Sequence, residues 1–161
     1  MNLQALTEIK QLVGGKFLTE FRPDVFIGQE TKGNRMKHEL YHVHESAGTI
    51  PSEHGTIMLV LKKLGEVIFD TPLPNIQTCY LKDHDIWIVN VYCPPSQTQK
   101  GKSTERNWLL KKAKEDRVII GGDFNDFAEH LDLCHFKKGT HDDGDNIDGI
   151  MSTSLKRVAP A

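Results

Sequence analysis

The sequence has 161 residues, the length of a single domain that is large enough to bury a hydrophobic core. Its 20 basic and 22 acidic residues give a net charge of -2 and a pI near 6.4, which excludes a globally basic nucleic acid-binding protein. Local basic clusters occur at residues 111–117 and 137–138. Such clusters are typical of a solvated helix face or loop.

The cysteines and the hydropathy pattern predict the compartment. Cys79, Cys93 and Cys134 are an odd number of cysteines without C-x-x-C spacing, which argues against a disulfide framework or a cysteine zinc site and indicates a reducing compartment. No apolar run approaches ~20 residues, and the N-terminus lacks the apolar segment of a signal peptide. We therefore expect a soluble intracellular protein, cytoplasmic or nuclear, without a membrane partner. The sequence does not define its oligomeric state.

The N-terminal region predicts a helix followed by a buried strand. Apolar residues at steps of three and four indicate an amphipathic helix over residues 2–21, which Pro23 ends. Residues 25–28 are a short apolar strand, and residues 29–32 leave its C-terminal end. Because open α/β sheets bind ligands beyond the carboxyl ends of their strands, Glu30 is a candidate site residue.

Four further strands are predicted in the middle of the chain, at residues 57–61, 67–69, 77–81 and 86–92. Tight connections at residues 65–66 and 83–85 predict a meander of antiparallel hairpins. A helix capped by Ser103 or Thr104 then continues to about Glu115. Short strands are predicted at residues 131–136 and 147–151, on either side of a polar loop.

Residues 117–125 are the stretch around which the chain is organised. A buried strand ends on two glycines, and Asp123 and Asn125 follow at once. If the chain is still extended there, the two polar side chains share one face. A carboxylate that accepts a proton or binds a metal, beside an amide that donates hydrogen bonds, suits the handling of a phosphate. The alternative is an ordinary β-turn, and the local pattern leaves both open.

Two apparent motifs are weaker. His38-Glu39-Leu40-Tyr41-His42 matches the H-E-x-x-H zinc-protease signature, whose chemistry needs a helix. The strand-like alternation that begins at Tyr41 opposes a helix, so a zinc metalloprotease is a remote hypothesis. Residues 101–103 resemble the end of a phosphate-binding loop, but Ser96 stands where its first glycine is required. We interpret these residues as a helix-capping loop.

Polar residues recur at the ends of four predicted strands. Asp148 begins the last strand between isoleucines, where an aspartate usually needs a partner. The whole set comprises Glu30, Tyr92, Asp123, Asn125 and Asp148. Core packing does not explain this pattern, whereas convergence on one pocket does.

In this order the motifs resemble the exonuclease–endonuclease–phosphatase superfamily, in particular apurinic and retrotransposon-type endonuclease domains. The matching segments are residues 23–32 with Q-E-T-K, 54–60, 89–95 with V-N-V-Y-C-P-P, 122–125 with G-D-F-N, and 147–150. The resemblance covers nearly the whole chain. It implies a single domain over residues 1–161 of the α/β (α+β) class, an incomplete four-layer αββα sandwich of two mixed sheets.

The resemblance also implies an activity and residue roles. Glu30 would hold Mg²⁺, or Mn²⁺ in its place, and Tyr92 and Asn125 would contact the scissile phosphate, with Lys32 helping to hold it. Asp123 would orient or deprotonate the attacking water, and Asp148 would complete the catalytic set. The implied reaction is Mg²⁺-dependent, in-line hydrolysis of a phosphodiester, endonuclease-like on nucleic acid.

The chain departs from the family pattern at both ends. The first strand, with its metal-binding asparagine, and the last strands, with a Ser-Asp-His segment, have no counterpart in it. Pro95 stands where an asparagine is common, and Gly149 where a tyrosine is common. The alternative to an active nuclease is therefore a truncated or non-catalytic member that only binds phosphate or nucleic acid. The substrate itself, whether DNA, RNA, a nucleotide or a lipid headgroup, is left open.

Overall fold

The computed structural model describes residues 8–31, 36–47, 55–125, 134–135 and 148–152. The chain there forms, in order, α1 (Glu8–Phe21), β1 (Val25–Gln29), β2 (Tyr41–Ser46), β3 (Thr56–Leu61), β4 (Val67–Leu73), β5 (Ile76–Leu81), β6 (Ile86–Tyr92), α2 (Gln99–Glu115), β7 (Val118–Asp123), β8 (Cys134–His135) and β9 (Asp148–Ser152). Neither of these helices is long and apolar enough to cross a membrane.

The strands form two sheets. The small sheet has the order β1-β3-β2 and is antiparallel, while the large sheet has the order β4-β5-β6-β7-β9-β8. The large sheet is mixed, because β6 and β7 run parallel whereas its other pairs are antiparallel. Of the two mixed sheets that we expected, only the large one is mixed in the part of the chain described.

The sheets and helices stack as four layers, because the strands bury apolar side chains on both faces. On β3, Ile57 and Leu59 pack with Leu18 of α1, whereas Met58 and Val60 point the other way, into the layer between the sheets. On the outer face of the large sheet, the buried side chains of Val89, Val91 and Ile120 form one cluster with Leu109 of α2. The order is α1, small sheet, large sheet, α2, as the family resemblance implies.

The predicted meander is wrong at its first connection. β3 belongs to the small sheet, where it is the central strand with every residue buried, and β4 is an edge strand of the large sheet. The chain crosses between the sheets through a short 3-10 turn at Lys62–Leu64 and Gly65, which has a φ of 89°. A local turn signal cannot specify the sheet that the next strand joins. The hairpins that connect β4, β5 and β6 are confirmed.

Helix α2 begins four residues before its predicted cap. Thr98 is extended, and its Oγ1 accepts a hydrogen bond of 3.2 Å from the Gly101 N–H, so it is the N-cap. Thr104 bonds back to the Lys100 carbonyl at 2.9 Å, which is the behaviour of a threonine inside a helix. Residues 101–103 therefore lie in the first turns of α2 and are not a capping loop.

The predicted elements at the two ends are confirmed where the structure describes them. Helix α1 ends at Phe21, and Arg22 takes a left-handed φ of 44° before Pro23. Strand β8 lies within the predicted strand at residues 131–136, and β9 is displaced by one residue from the predicted 147–151. The first six residues of the predicted helix and the polar loop at 139–146 lie outside the described residues.

Candidate functional site

The site begins with a row of residues across three neighbouring strands of the large sheet. Tyr92 ends β6 and lies beside Asp123, which ends the parallel strand β7. Asp123 lies in turn opposite Asp148, the first residue of the antiparallel strand β9. Chain direction and register therefore bring three of the predicted site positions to one edge of one sheet.

Glu30 joins this row from the small sheet. It follows β1 directly, and its carboxylate Oε1 accepts a hydrogen bond of 3.1 Å from the Tyr92 hydroxyl. The Glu30 backbone is left-handed, with a φ of 58°, a conformation that costs a non-glycine residue about 1 kcal/mol. The surrounding structure holds this residue against its own preference, and the Tyr92–Glu30 bond links the two sheets at the site.

The electrostatic surroundings keep the Tyr92 hydroxyl protonated. Burial raises the pKa of Tyr92, and the charge of Glu30 and its hydrogen bond raise that pKa further. The Asp123 carboxylate contributes in the same direction. Tyr92 is 3% exposed, so its hydroxyl is a fixed donor aimed at Glu30 in an acidic environment.

Asn125 closes the site through contacts along its own chain and to β6. Its main-chain N–H donates to Oδ1 of the buried Asp123 at 3.2 Å, and its Nδ2 donates to the Cys93 carbonyl at 2.6 Å. The condition under which Asp123 and Asn125 would share one face, an extended chain through Asn125, is not met, because Asn125 has a φ of 46°. The strand continues through Asp123 and the chain then turns, and the Phe124 ring is buried in the cluster that Leu109 of α2 shares with the large sheet.

Four of the predicted site residues are thus brought together with their side chains, Glu30, Tyr92, Asp123 and Asn125. The main chain of Asp148 lies beside them. Lys32 lies outside the described residues.

The basic cluster at residues 111–117 is remote from this site. The Lys112 ammonium lies 3.3 Å from the centroid of the Trp87 ring and 3.0 Å from an Asp116 carboxylate oxygen. Trp87 pairs with Val118 at the start of β7, about 17 Å along that strand from Asp123 at ~3.3 Å per residue. These cations belong to the opposite edge of the large sheet and do not line the site.

The zinc-protease geometry is not formed. Residues 38–40 lie in a loop and turn, and Tyr41 opens strand β2. Nδ1 of His38 accepts a hydrogen bond of 3.2 Å from the Leu40 main-chain N–H, so this ring nitrogen already has a partner. Without a helix, the two histidines of H-E-x-x-H do not share one face at one-turn spacing.

The donor set of the site suits a hard cation. Glu30, Asp123 and Asn125 offer carboxylate and amide oxygens, which are ligands that Mg²⁺ prefers, and no thiolate or imidazole contacts the Glu30 carboxylate among the described residues. Within those residues there is no cluster of three or more His, Cys, Asp or Glu arranged as a complete metal cage. Mg²⁺ characteristically uses one or two carboxylates and retains several waters, so the residues present fit this ion.

Sequence reasoning missed a buried polar cluster beside the site. Glu105 of α2 is 3% exposed, and its Oε1 accepts hydrogen bonds from Gln97 Nε2 at 2.7 Å and from Asn75 Nδ2 at 3.1 Å. Burial raises the pKa of Glu105, against the effect of both amides. Gln97 also accepts the Cys93 thiol at 3.2 Å, so the cluster holds the segment that follows Tyr92. The sequence feature that could have revealed this cluster is the position of Glu105, one turn before Leu109 on the buried face of the helix.

Three solved structures are similar to this fold. The endonuclease domain of TRAS1, a telomere-specific non-LTR retrotransposon, has a TM-score of 0.66 at 18% identity, covering 95% of this chain and 82% of that one. A 3′ phosphatase, NExo from Neisseria, bound to a product DNA hairpin, has a TM-score of 0.64 at 14% identity, covering 94% and 84%. An AP endonuclease from Archaeoglobus fulgidus has a TM-score of 0.59 at 16% identity, also covering 94% and 84%.

The similarity to solved structures shows the fold, and the match of the sequence to a family model shows the family. No curated protein sequence matches the chain. The sequence model of the Endonuclease/Exonuclease/phosphatase family matches residues 14–160, which is nearly the whole chain and includes every residue of the candidate site. The chain belongs to the Endonuclease/Exonuclease/phosphatase family, whose enzymes hydrolyse phosphoester bonds.

Proposed function

We propose that this chain is a Mg²⁺-dependent phosphodiesterase that cleaves nucleic acid as an endonuclease. The observation that carries the proposal is the hydrogen bond of 3.1 Å from Tyr92 to Glu30, which brings a carboxylate of the small sheet to the Asp123 edge of the large sheet. Family membership supports hydrolysis of a phosphoester, and the likeness to an endonuclease domain and to a DNA-bound phosphatase supports nucleic acid as the substrate.

Each residue has a role that follows from its contacts. Glu30 holds the metal, because Tyr92 fixes the orientation of its carboxylate. The Asn125 amide is a donor for a phosphate oxygen. The Tyr92 hydroxyl, kept protonated by burial, turns its one proton from Glu30 to a phosphate oxygen when the substrate binds. Lys32, two residues after Glu30, adds a positive charge for the same phosphate. Bound Mg²⁺ supplies charge stabilisation at the phosphate oxygens.

Asp123 is the group that takes a proton. The Asn125 N–H holds one of its carboxylate oxygens at 3.2 Å, which fixes the direction of the carboxylate. As the oxygen of the attacking water bonds to phosphorus, the bond to the leaving ester oxygen breaks and its electron pair leaves with that oxygen. Asp123 accepts the proton that the water loses, and the leaving oxyanion takes a proton from solvent water. Asp148, whose main chain lies opposite Asp123 on β9, is the remaining acidic residue of the proposed catalytic set.

Hydrolysis of supercoiled plasmid, single-stranded DNA, RNA and bis-p-nitrophenyl phosphate with Mg²⁺, and again with EDTA, tests this function. We expect nicking of the plasmid that EDTA abolishes, and a loss of at least about 100-fold in rate for Asp123→Asn, because general-base catalysis contributes roughly 10²- to 10⁴-fold.

Asp70→Asn is the matched control. Asp70 also accepts a main-chain N–H, that of Thr71 at 2.7 Å, but it is exposed on the edge strand β4. Its substitution is expected to leave the rate unchanged. Binding of DNA without Mg²⁺-dependent cleavage of any of the four substrates would contradict the proposal and leave a non-catalytic, phosphate-binding family member.

A further inference from the structure

A chain of buried amides crosses the layer between the two sheets. Gln29 of β1, Gln77 of β5 and Asn90 of β6 are each 0% exposed. The neighbouring side chains in the layer are apolar, among them Met58, Val60, Cys79 and Ile88. Buried amides destabilise a protein unless they are hydrogen-bonded, so this cluster has a specific structural role rather than that of filling space.

Asn90 holds the end of β1 by two kinds of contact. Its Oδ1 accepts Gln29 Nε2 at 2.6 Å, and its Nδ2 lies 3.3 Å from the Gly28 carbonyl oxygen. The same Nδ2 lies 3.1 Å from the Ile57 carbonyl of β3 and 3.0 Å from Gln77 Oε1. One side chain of the large sheet is therefore bonded to a side chain and a main-chain group of the two residues that precede Glu30.

Gln77 extends the same connection to the other side of the small sheet. Its Nε2 lies 3.1 Å from the His44 carbonyl of β2 and 3.3 Å from the Thr56 carbonyl of β3. The amides thus contact all three strands of the small sheet from two adjacent strands of the large sheet. Directional bonds of this kind fix how far the sheets slide against each other, which apolar contacts alone do not.

The position of Asn90 relates this connection to the site. Asn90 lies two residues before Tyr92 on β6, so both side chains face the small sheet. Asn90 binds Gln29 and Tyr92 binds Glu30, which makes two successive contacts between the ends of the same two strands. On the far side of Glu30, the Thr31 N–H bonds the Gly55 carbonyl at 3.2 Å. Glu30 is held in its left-handed conformation between these anchors.

We propose that Gln29 and Asn90 are positioning residues that set the place of the Glu30 carboxylate relative to Asp123. The inference rests on the proposed function insofar as Glu30 holds the metal. Gln29 and Asn90 lie outside the site and hold the chain that carries Glu30. The loss of residues that hold a metal ligand in place commonly lowers metal affinity by about 10- to 100-fold.

Asn90→Leu, with Gln29→Met as a second variant that retains side-chain volume, tests the inference. We expect the Mg²⁺ concentration for half-maximal cleavage to rise about tenfold, the lower end of that range, because the two amides act on the carboxylate through the chain that carries Glu30. We expect kcat at saturating Mg²⁺ to change less. Hydrogen exchange at the Thr31 amide is expected to become faster in both variants.

Val60→Ala is the control for a general loss of packing. Val60 is fully buried in the same layer, but it pairs with Val25 at the opposite end of β1 from Gln29. Circular dichroism establishes that each variant is folded, and Gln29→Met carries the test if Asn90→Leu does not fold. Exchange and Mg²⁺ dependence that match those of Val60→Ala would overturn the inference.

The two proposals fail separately. If the wild-type chain shows no Mg²⁺-dependent cleavage, the proposed function fails, and exchange at Thr31 still decides the anchoring. Faster exchange in Asn90→Leu than in Val60→Ala then supports the positioning of residues 29–31, and equal exchange overturns it.

Discussion

At the Tyr92 hydroxyl, one hydrogen bond connects two sheets and two candidate site residues. The phenol is buried, its pKa is raised by that burial and by Glu30, and in the free protein its single proton is directed at the Glu30 carboxylate. In a site with carboxylates from two sheets, a neutral donor is the group that can hold Glu30 without adding charge. The residue is consequently both structural and, in the proposed reaction, a donor to the phosphate.

Tyr92→Phe removes that donor and retains the ring. We expect cleavage to slow by roughly 100-fold, as for the loss of one oriented donor in an active site, and the free energy of unfolding to fall by about 1–2 kcal/mol. Rate measurements at saturating Mg²⁺ and urea denaturation check the two effects. Tyr80→Phe is the control, because Tyr80 also donates to a carboxylate, that of Asp85 at 2.9 Å, but on the surface. Equal rates for the two variants would contradict the role of Tyr92.

Gly122 shows how closely the strands approach beside the site. It pairs with Val91 across the parallel strands, its φ is 151°, and a Cβ added there would collide with the Val91 carbonyl. The glycine that precedes Asp123 is therefore required by the sheet itself. The two glycines before Asp123 are a sequence signal of close backbone approach, and at Gly122 the approaching group is the neighbouring strand β6.

Gly122→Ala is expected to lower the free energy of unfolding by about 3 kcal/mol or more, because either the strand pair or the backbone must move. Gly15→Ala is its counterpart in α1, where a Cβ would meet no atom within 4 Å. There we expect a gain of about 0.5–1 kcal/mol from the lower conformational entropy of the unfolded helix. Urea denaturation of both variants measures the difference, and a Gly122→Ala protein as stable as wild type would refute the steric reading.

At the scale of elements, periodicity predicted most strands, and the turn signals predicted some of their partners, those in the β4–β5–β6 hairpins, but not all. Strand β6 was predicted with its observed bounds, because seven residues rich in β-branched and aromatic side chains end at two prolines. The crossing after β3 was not predictable, since the choice of sheet depends on long-range packing. The start of α2 was misplaced because Ser103 and Thr104 are as good caps in composition as Thr98, and only the local backbone distinguishes them.

Helix α2 carries a testable consequence of packing a carboxylate against the large sheet. Burial raises the pKa of Glu105 above 4.5, so the folded protein binds more protons than the unfolded chain in the interval between the two values. Stability is therefore greatest below the unfolded pKa and falls as the pH rises through the folded pKa. In Glu105→Gln this loss is absent.

Urea denaturation between about pH 4.5 and pH 8 measures the effect. The stability of Glu105→Gln relative to wild type is expected to increase with pH, even if the variant is less stable at the acidic end. Glu115→Gln, at the exposed end of the same helix, is the control. A constant difference between Glu105→Gln and wild type over this range would show that Glu105 does not titrate with folding.

At the scale of the whole molecule, the candidate site lies where two sheets face each other with their strand ends at one edge. The sequence identified Glu30, Tyr92, Asp123 and Asn125 by their position at strand ends, and the fold brings their side chains together. It did not identify Gln29, Asn90 or Glu105, because the role of a buried amide or carboxylate depends on hydrogen-bond partners that are distant in sequence. Asn90 and its partner Gln29, for example, are separated by 61 positions.

We propose that these strand ends form one cation site between the sheets. Diffraction from crystals soaked in Mn²⁺, with anomalous scattering to locate the ion, tests it most directly. We expect a Mn²⁺ ion about 2.1 Å from a carboxylate oxygen of Glu30, on the side that faces Asp123, and no such ion in crystals of Glu30→Gln. A Mn²⁺ ion bound elsewhere, with none at Glu30 in the wild-type crystals, would contradict the claim.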